Sequence, residues 1–192
     1  MVFNNVLIFA TYFALIMVLI TSGWRFKLVG LAIIYLISFI VILQIWPVAL
    51  ASVKLIAGWM GIILISASQY TQGDENKPFL TIDSQSIFRL LIAALVWIMI
   101  TAEASAFNEW LPIPYTNLYL GLTIVGGGLI YASVNKQMFD VILGVLTLLA
   151  GFDIIYSSLE GSALVTGIFA IMIILISLLN SYFSPTSEDM VN

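Results

Sequence analysis

Seven apolar stretches, each about 20 residues long, dominate this chain. An α-helix rises about 1.5 Å per residue, so about 20 apolar residues match the ~30 Å hydrocarbon core of a bilayer. The stretches are Val6–Ser22, Leu28–Trp46, Val48–Ser68, Ile87–Ala106, Thr116–Val134, Met138–Leu159 and Ala163–Tyr182. Composition points the same way: 62% of the 192 residues are apolar and 8% are charged. A soluble domain is nearer half apolar and a quarter charged. The pattern therefore predicts an all-α, polytopic helical bundle with about seven transmembrane helices, multi-pass in a cell membrane. Residues 1–182 read as one bundle, and residues 183–192 read as a polar, acidic tail that is disordered.

The second and third stretches meet at Trp46–Pro47. Proline cannot continue the preceding helical ladder but suits the first turn of the next helix, so a very short hairpin is expected there. The connector Gln69–Ser86 contains Gly73-Asp74-Glu75-Asn76-Lys77-Pro78, which is turn chemistry, with Asp83 or Ser84 placed to cap the following helix. Trp110, Pro112, Pro114 and Tyr115 suit a loop at the lipid headgroups.

With seven spans, Arg25, Lys27, Lys77 and Lys136 fall on one side of the membrane, with Arg89 just inside the fourth helix. The other side has no Lys or Arg. The positive-inside rule then puts the N-terminus outside and the C-terminus in the cytoplasm. The Met1–Asn5 start has no Lys or Arg and no A-x-A-like site follows the first apolar run, so no cleaved leader is expected.

The chain has no Cys and no His. That excludes cysteine and histidine metal sites, cysteine-ligated iron–sulfur clusters and Ser-His-Asp catalysis. The formal net charge is −4 and no basic patch stands out, so nucleic acid is not an expected partner. No catalytic residues, metal or bound cofactor are expected. Retinal would need a lysine deep in the last span, which has none. The expected surroundings are the lipid bilayer and other integral-membrane subunits.

Ionisable residues inside spans are where chemistry would show. A charge at a helix centre costs about 2.5–3.5 kcal/mol on the insertion scale, and such residues face the bundle with partners. Lys54, Glu103 and Asp153 qualify. Counting inward along alternating helices places Lys54 and Asp153 about 9 Å below the same membrane edge, and Glu103 about 5 Å below it. Lys54 shares a helical stripe with Gly58 and Gly61, and small residues mark close helix contacts in membranes. A Lys54–Asp153 pair is expected, with Glu103 near enough to join. The alternative is that Lys54 and Glu103 snorkel outward and Asp153 faces a partner subunit. Arg89 and Asp140 read as anchors at the cytoplasmic edge, leaving the inner leaflet with few polar stations.

Gly126-Gly127-Gly128 either bends the fifth span or admits a neighbouring backbone, and Gly144 and Gly151 mark a packing stripe on the sixth. A faint echo links Leu55-Ile56-Ala57-Gly58-Trp59 to Leu148-Leu149-Ala150-Gly151-Phe152, on helices expected to run in opposite directions.

The last three spans resemble a known arrangement. A Gly-rich span ends near Gly128-Leu129-Ile130-Tyr131, a short loop carries Asn135-Lys136-Gln137, and Ile142-Leu143-Gly144 follows in the next span. This resembles the small three-helix, K-type subunit of the complex I membrane arm and the related E-type membrane subunit of hydrogenase-4 complexes. The E-type subunit is also similar in length and span number. The family's intramembrane glutamate would fall at or near Leu146, and the last span has no acidic counterpart to its other glutamate. The resemblance therefore implies a scaffolding or path-sealing subunit of an ion-translocating complex that lacks the family's proton-relay carboxylates. The competing expectation is a small secondary transporter or channel built on Lys54 and Asp153. An intramembrane enzyme is disfavoured for want of a catalytic constellation.

Overall fold

The computed structural model describes residues 2–71 and 84–183. The turn expected at Gly73–Pro78, the Asp83 cap and the acidic tail from residue 184 onward lie outside the described residues. What is described is seven helices: α1 Val2–Ile20, α2 Trp24–Ile42, α3 Val48–Thr71, α4 Ser84–Trp110, α5 Tyr115–Val134, α6 Met138–Leu159 and α7 Ala163–Phe183. No described residue lies in a strand. Six helices are long and apolar enough to cross a membrane, and α1 carries a shorter apolar run, Asn4–Ile20. The protein is a multi-pass integral membrane protein.

No described proline falls inside a helix: Pro47 precedes α3, and Pro112 and Pro114 lie between α4 and α5. The α2–α3 connection is the expected tight hairpin. It begins earlier than hydropathy suggests, because α2 stops at Ile42 and Leu43–Trp46 form hydrogen-bonded turns. Hydroxyls within the helices return to their own backbone, as Thr11 to Leu7 O, Thr123 to Tyr119 O and Ser177 to Ile173 O show. A hydroxyl in lipid has no water to use, so a carbonyl one turn back is its nearest acceptor.

The helices form two stacked layers. The first is α1–α2–α3 and the second α5–α6–α7, with α1 on α5, α2 on α6 and α3 on α7. Helix α4 closes one end against α1 and α5. Cross-layer contacts keep a nearly constant sequence offset. Asn4 bonds Thr116, Lys27 bonds Asp140, Ser38 bonds Ala150 O and Trp46 bonds Ser157 O. A constant offset between stacked helices means that they run parallel. The echo between residues 55–59 and 148–152 falls on α3 and α6, which do not face each other in these layers.

The core lies between the layers, around Leu15, Leu31, Ile34, Leu120, Tyr131 and Leu143. Glycines set the closest approaches. Helix α5 is continuous through Gly126-Gly127-Gly128, so the run does not break the span. Its three members serve three neighbours: Gly126 meets Val96 of α4, Gly127 meets Leu15 of α1, and Gly128 meets the backbone of α6 at Leu148. A Cβ on Gly144 would stand 2.5 Å from the Ala132 nitrogen, and one on Gly151 would stand 2.7 Å from the Gly121 carbonyl oxygen. Backbone against backbone is how membrane helices associate without a hydrophobic drive between them.

Candidate functional site

Helix α6 carries two buried carboxylates, and each holds a lysine from the other layer. Near one end, Lys54 of α3 donates to Asp153 Oδ1 at 2.5 Å. Near the opposite end, Lys27 of α2 donates to Asp140 Oδ1 at 2.7 Å. All four side chains are more than nine-tenths buried. The two acids are about 20 Å apart along the helix at 1.5 Å per residue.

The Lys54–Asp153 pair spans a gap. The described backbone neighbours of α3 are α2 and α7, and the long Lys54 side chain reaches past them to α6. Lys54 Nζ also lies 4.4 Å from the centre of the Trp46 ring. The Trp46 indole N–H donates to Ser157 O at 2.8 Å, which fixes the ring over the ammonium. Trp46 sits there because the turn at 43–46 folds it inward, where it is buried against Ile42 and Ala51. Gly58, one turn beyond Lys54, lies under the Tyr35 ring, and Gly61 meets Ser177 Oγ at 2.6 Å from an added Cβ. Both glycines therefore lie on packed faces. Ser157, on the stripe of Asp153, is buried, whereas Glu160 is exposed and accepts from Tyr156 OH at 3.2 Å.

Glu103 does not join this cluster. Its helix, α4, packs on α5 and α1 through Ala93, Val96, Trp97, Ile100 and Ala104, far round the bundle from α3. Glu103 falls on the opposite stripe with Met99 and Phe107, all exposed. Equal depth in the membrane does not imply adjacency, because depth says nothing about position around the bundle.

Sequence reasoning missed the second pair. Lys27 belongs to the first turn of α2 rather than to a connector, because α2 begins at Trp24. Asp140 is buried and paired, not an edge anchor. Its Oδ1 also accepts from Tyr131 OH at 2.7 Å. The Arg89 guanidinium carbon stands 5.7 Å from the Tyr131 ring centre, and Lys27 Nζ 5.8 Å from it. A signal was available: Lys27 and Asp140 each lie in the first turn of a helix that starts at the same membrane edge.

Between the two pairs, Tyr35 OH donates to Leu146 O at 3.3 Å and Ser38 Oγ approaches Ala150 O at 3.5 Å. Thr147 is buried and bonds Leu143 O. These hydroxyls stitch α2 to α6 or return to α6 itself. No cluster of three or more potential metal ligands occurs among the described residues. Comparison with protein-family models, with curated proteins and with solved structures found no match.

Proposed function

We propose that this chain is a noncatalytic integral-membrane subunit that seals or scaffolds a larger, ion-translocating assembly. The observation that carries it is Glu103. This carboxylate lies about 5 Å below the membrane edge counted from Ala106, on a face of α4 exposed beside Met99, Phe107 and Trp110. No described Lys or Arg forms an ion pair with it. Lipid tails offer a carboxylate nothing, and intramembrane acids face partners. A neighbouring subunit's cation or hydrogen-bond donor satisfies it. The interior charges support the same reading. Each buried ammonium already has its carboxylate, so Lys27 and Lys54 fasten the two layers and hold no substrate. The resemblance of α5–α7 to complex I and hydrogenase membrane subunits suggests the kind of assembly. The cation-bearing edge at Arg25, Arg89 and Lys136 is placed in the cytoplasm of a cell membrane by the positive-inside rule.

The test is mild-detergent purification of the full chain from its native membrane. Stoichiometric membrane partners are expected, and Glu103→Leu should shed them while leaving the chain monodisperse. A chain that purifies without any stoichiometric partner, or a partner set untouched by Glu103→Leu, overturns the proposal.

A second reading rests on the two ion pairs at opposite ends of α6. With Tyr35, Ser38 and Thr147 between them, they form a discontinuous polar line through the bundle, suited to a small transporter or channel. Ion flux in liposomes containing this chain alone, abolished by Asp153→Asn, would favour that reading over the subunit role.

A further inference from the structure

A cleft of about 460 Å³ opens between α2 and α3 at the cation-bearing edge. Its polar lining sits at the membrane boundary: Trp24 and Arg25 open α2, and Ser66 and Tyr70 lie in the last turns of α3. Its apolar lining lies deeper, at Leu28, Val29, Ala32 and Ile62. From Trp24 to Ala32 the cleft descends about 12 Å along α2, and Tyr70 to Ile62 covers the same depth on α3. Polarity is therefore graded along the cleft, from a charged and aromatic mouth to a hydrocarbon floor.

We propose that this cleft binds one anionic glycerophospholipid per chain, its phosphate on Arg25 and an acyl chain against Leu28, Val29, Ala32 and Ile62. Three observations fix the occupant. The first is charge. Arg25 is exposed, its guanidinium carbon 5.2 Å from the Trp24 ring centre, and no carboxylate is among the described residues that line the cleft. Lys27, two residues on, is already neutralised by Asp140, so among the described lining residues Arg25 sets the sign at the mouth. A planar guanidinium suits a phosphate through paired N–H donors. The second is depth. Trp24 and Tyr70 occupy the headgroup level, where amphipathic rings settle, and the floor begins where the hydrocarbon begins. The third is access. Val29 and Tyr70 are exposed, so the cleft opens sideways to the bilayer and a lipid enters without leaving it. A soluble anion would gain nothing from the apolar floor. An amphiphile without a phosphate would gain nothing from Arg25, and a zwitterionic phospholipid would bring its own cation against it.

This assignment is independent of the subunit reading and survives its failure. Its test uses the purified full chain in detergent, with phosphatidylglycerol and phosphatidylcholine of identical acyl chains, read by native mass spectrometry and lipid-dependent thermal stabilisation. One phosphatidylglycerol is expected per chain, bound about fivefold or more tighter than phosphatidylcholine, the size of one cation acting near a membrane surface. Arg25→Gln should remove that preference by lowering phosphatidylglycerol affinity further than phosphatidylcholine affinity, while Arg25→Lys should restore much of it. Ala32→Trp fills the floor and should abolish the bound lipid. Leu36→Trp, on the exposed face of the same helix but outside the cleft, should not. Equal affinity for the two lipids overturns the proposal. So does a preference that persists in Arg25→Gln, and so does a neutral amphiphile bound in the cleft with no response to headgroup charge. Arg25 is at the surface, so its variants decide the matter even if Ala32→Trp misfolds.

Discussion

Removing the Asp153 carboxylate should damage this protein far more than removing the whole ion pair. Lys54 and Asp153 are both more than nine-tenths buried, and the ammonium's carboxylate contact is at 2.5 Å. In Asp153→Asn the buried ammonium loses its counterion. Breaking a buried pair on one side costs about 3–5 kcal/mol, because the remaining charge is stranded. The Trp46 face at 4.4 Å is a contact of the parent as well, so it offsets none of that difference. The expected net loss is about 3–5 kcal/mol. In Lys54→Met with Asp153→Leu both desolvation costs vanish and volume is nearly kept, so stability should return to within about 1 kcal/mol of the parent. A double-mutant cycle built from Lys54→Met and Asp153→Leu, singly and together, and read by reversible unfolding in mixed micelles, should thus give a coupling of at least about 2 kcal/mol. If the two single losses simply add in the double variant, the pair is not an energetic unit and the reasoning fails.

Four further outcomes follow from the same geometry. Tyr131→Phe removes one donor from the Asp140 carboxylate and should cost about 1–3 kcal/mol in the same unfolding assay, with the fold retained. Gly144→Ala drives a methyl against the Ala132 backbone and should cost about 1–3 kcal/mol or block folding, whereas Gly167→Ala meets nothing within 4 Å and should be neutral or slightly stabilising. Asn180 is 1% exposed and neither amide atom has a hydrogen-bond partner among the described residues. Asn180→Leu should therefore raise the thermal midpoint of the detergent-solubilised chain, and a lowered midpoint would mean that the amide has an acceptor in the intact membrane protein. Trp46→Phe keeps a ring near Lys54 but loses the N–H to Ser157 O, and should cost about 1 kcal/mol while leaving the Lys54–Asp153 coupling largely intact.

Much of this architecture is legible in the sequence because lipid allows so few solutions. A run such as Ala163–Tyr182, apolar and free of charge, can only satisfy its backbone as a helix. The prolines mark the starts of α3 and α5, though not the end of α2, which stops at Ile42 well ahead of Pro47. Depth is legible too, since residue number converts to height at a fixed rise, which is why Lys54 and Asp153 could be matched. Azimuth is not. Which face Glu103 presents depends on which helices α4 touches, and hydropathy in a bilayer barely distinguishes a lipid-facing Leu from a partner-facing one. The pair Lys27–Asp140 was lost for a different reason. Both residues lie within a turn of a helix start, where boundaries read from hydropathy slip by a few residues and a charge looks like a connector residue. The glycine run Gly126–Gly128 announced close packing, but only the structure shows three different neighbours.

The two acids of α6 do what glycine packing cannot. Backbone contact along α5 and α6 tolerates sliding, because in lipid the apolar side chains uncovered by a shift are not penalised by water. An ion pair does not tolerate it. Asp140 and Asp153 point about 140° apart around α6 at 100° per residue, the one toward Lys27 of α2 and the other toward Lys54 of α3. A slide of one residue moves each carboxylate about 1.5 Å along the axis and 100° around it, and both pairs break together. Two bonds at opposite ends and on different faces therefore fix translation and rotation at once. Buried ion pairs add little net stability over apolar replacements, and fixing register is their best-attested use. That division of labour predicts a specific behaviour for the variant with all four residues made apolar. It should be as hard to unfold as the parent, yet lose its single conformation, and cysteine crosslinks between Ser38 and Ala150 should spread to neighbouring positions. Crosslinks confined to the parent register in that variant would show that packing alone sets the alignment of the two layers.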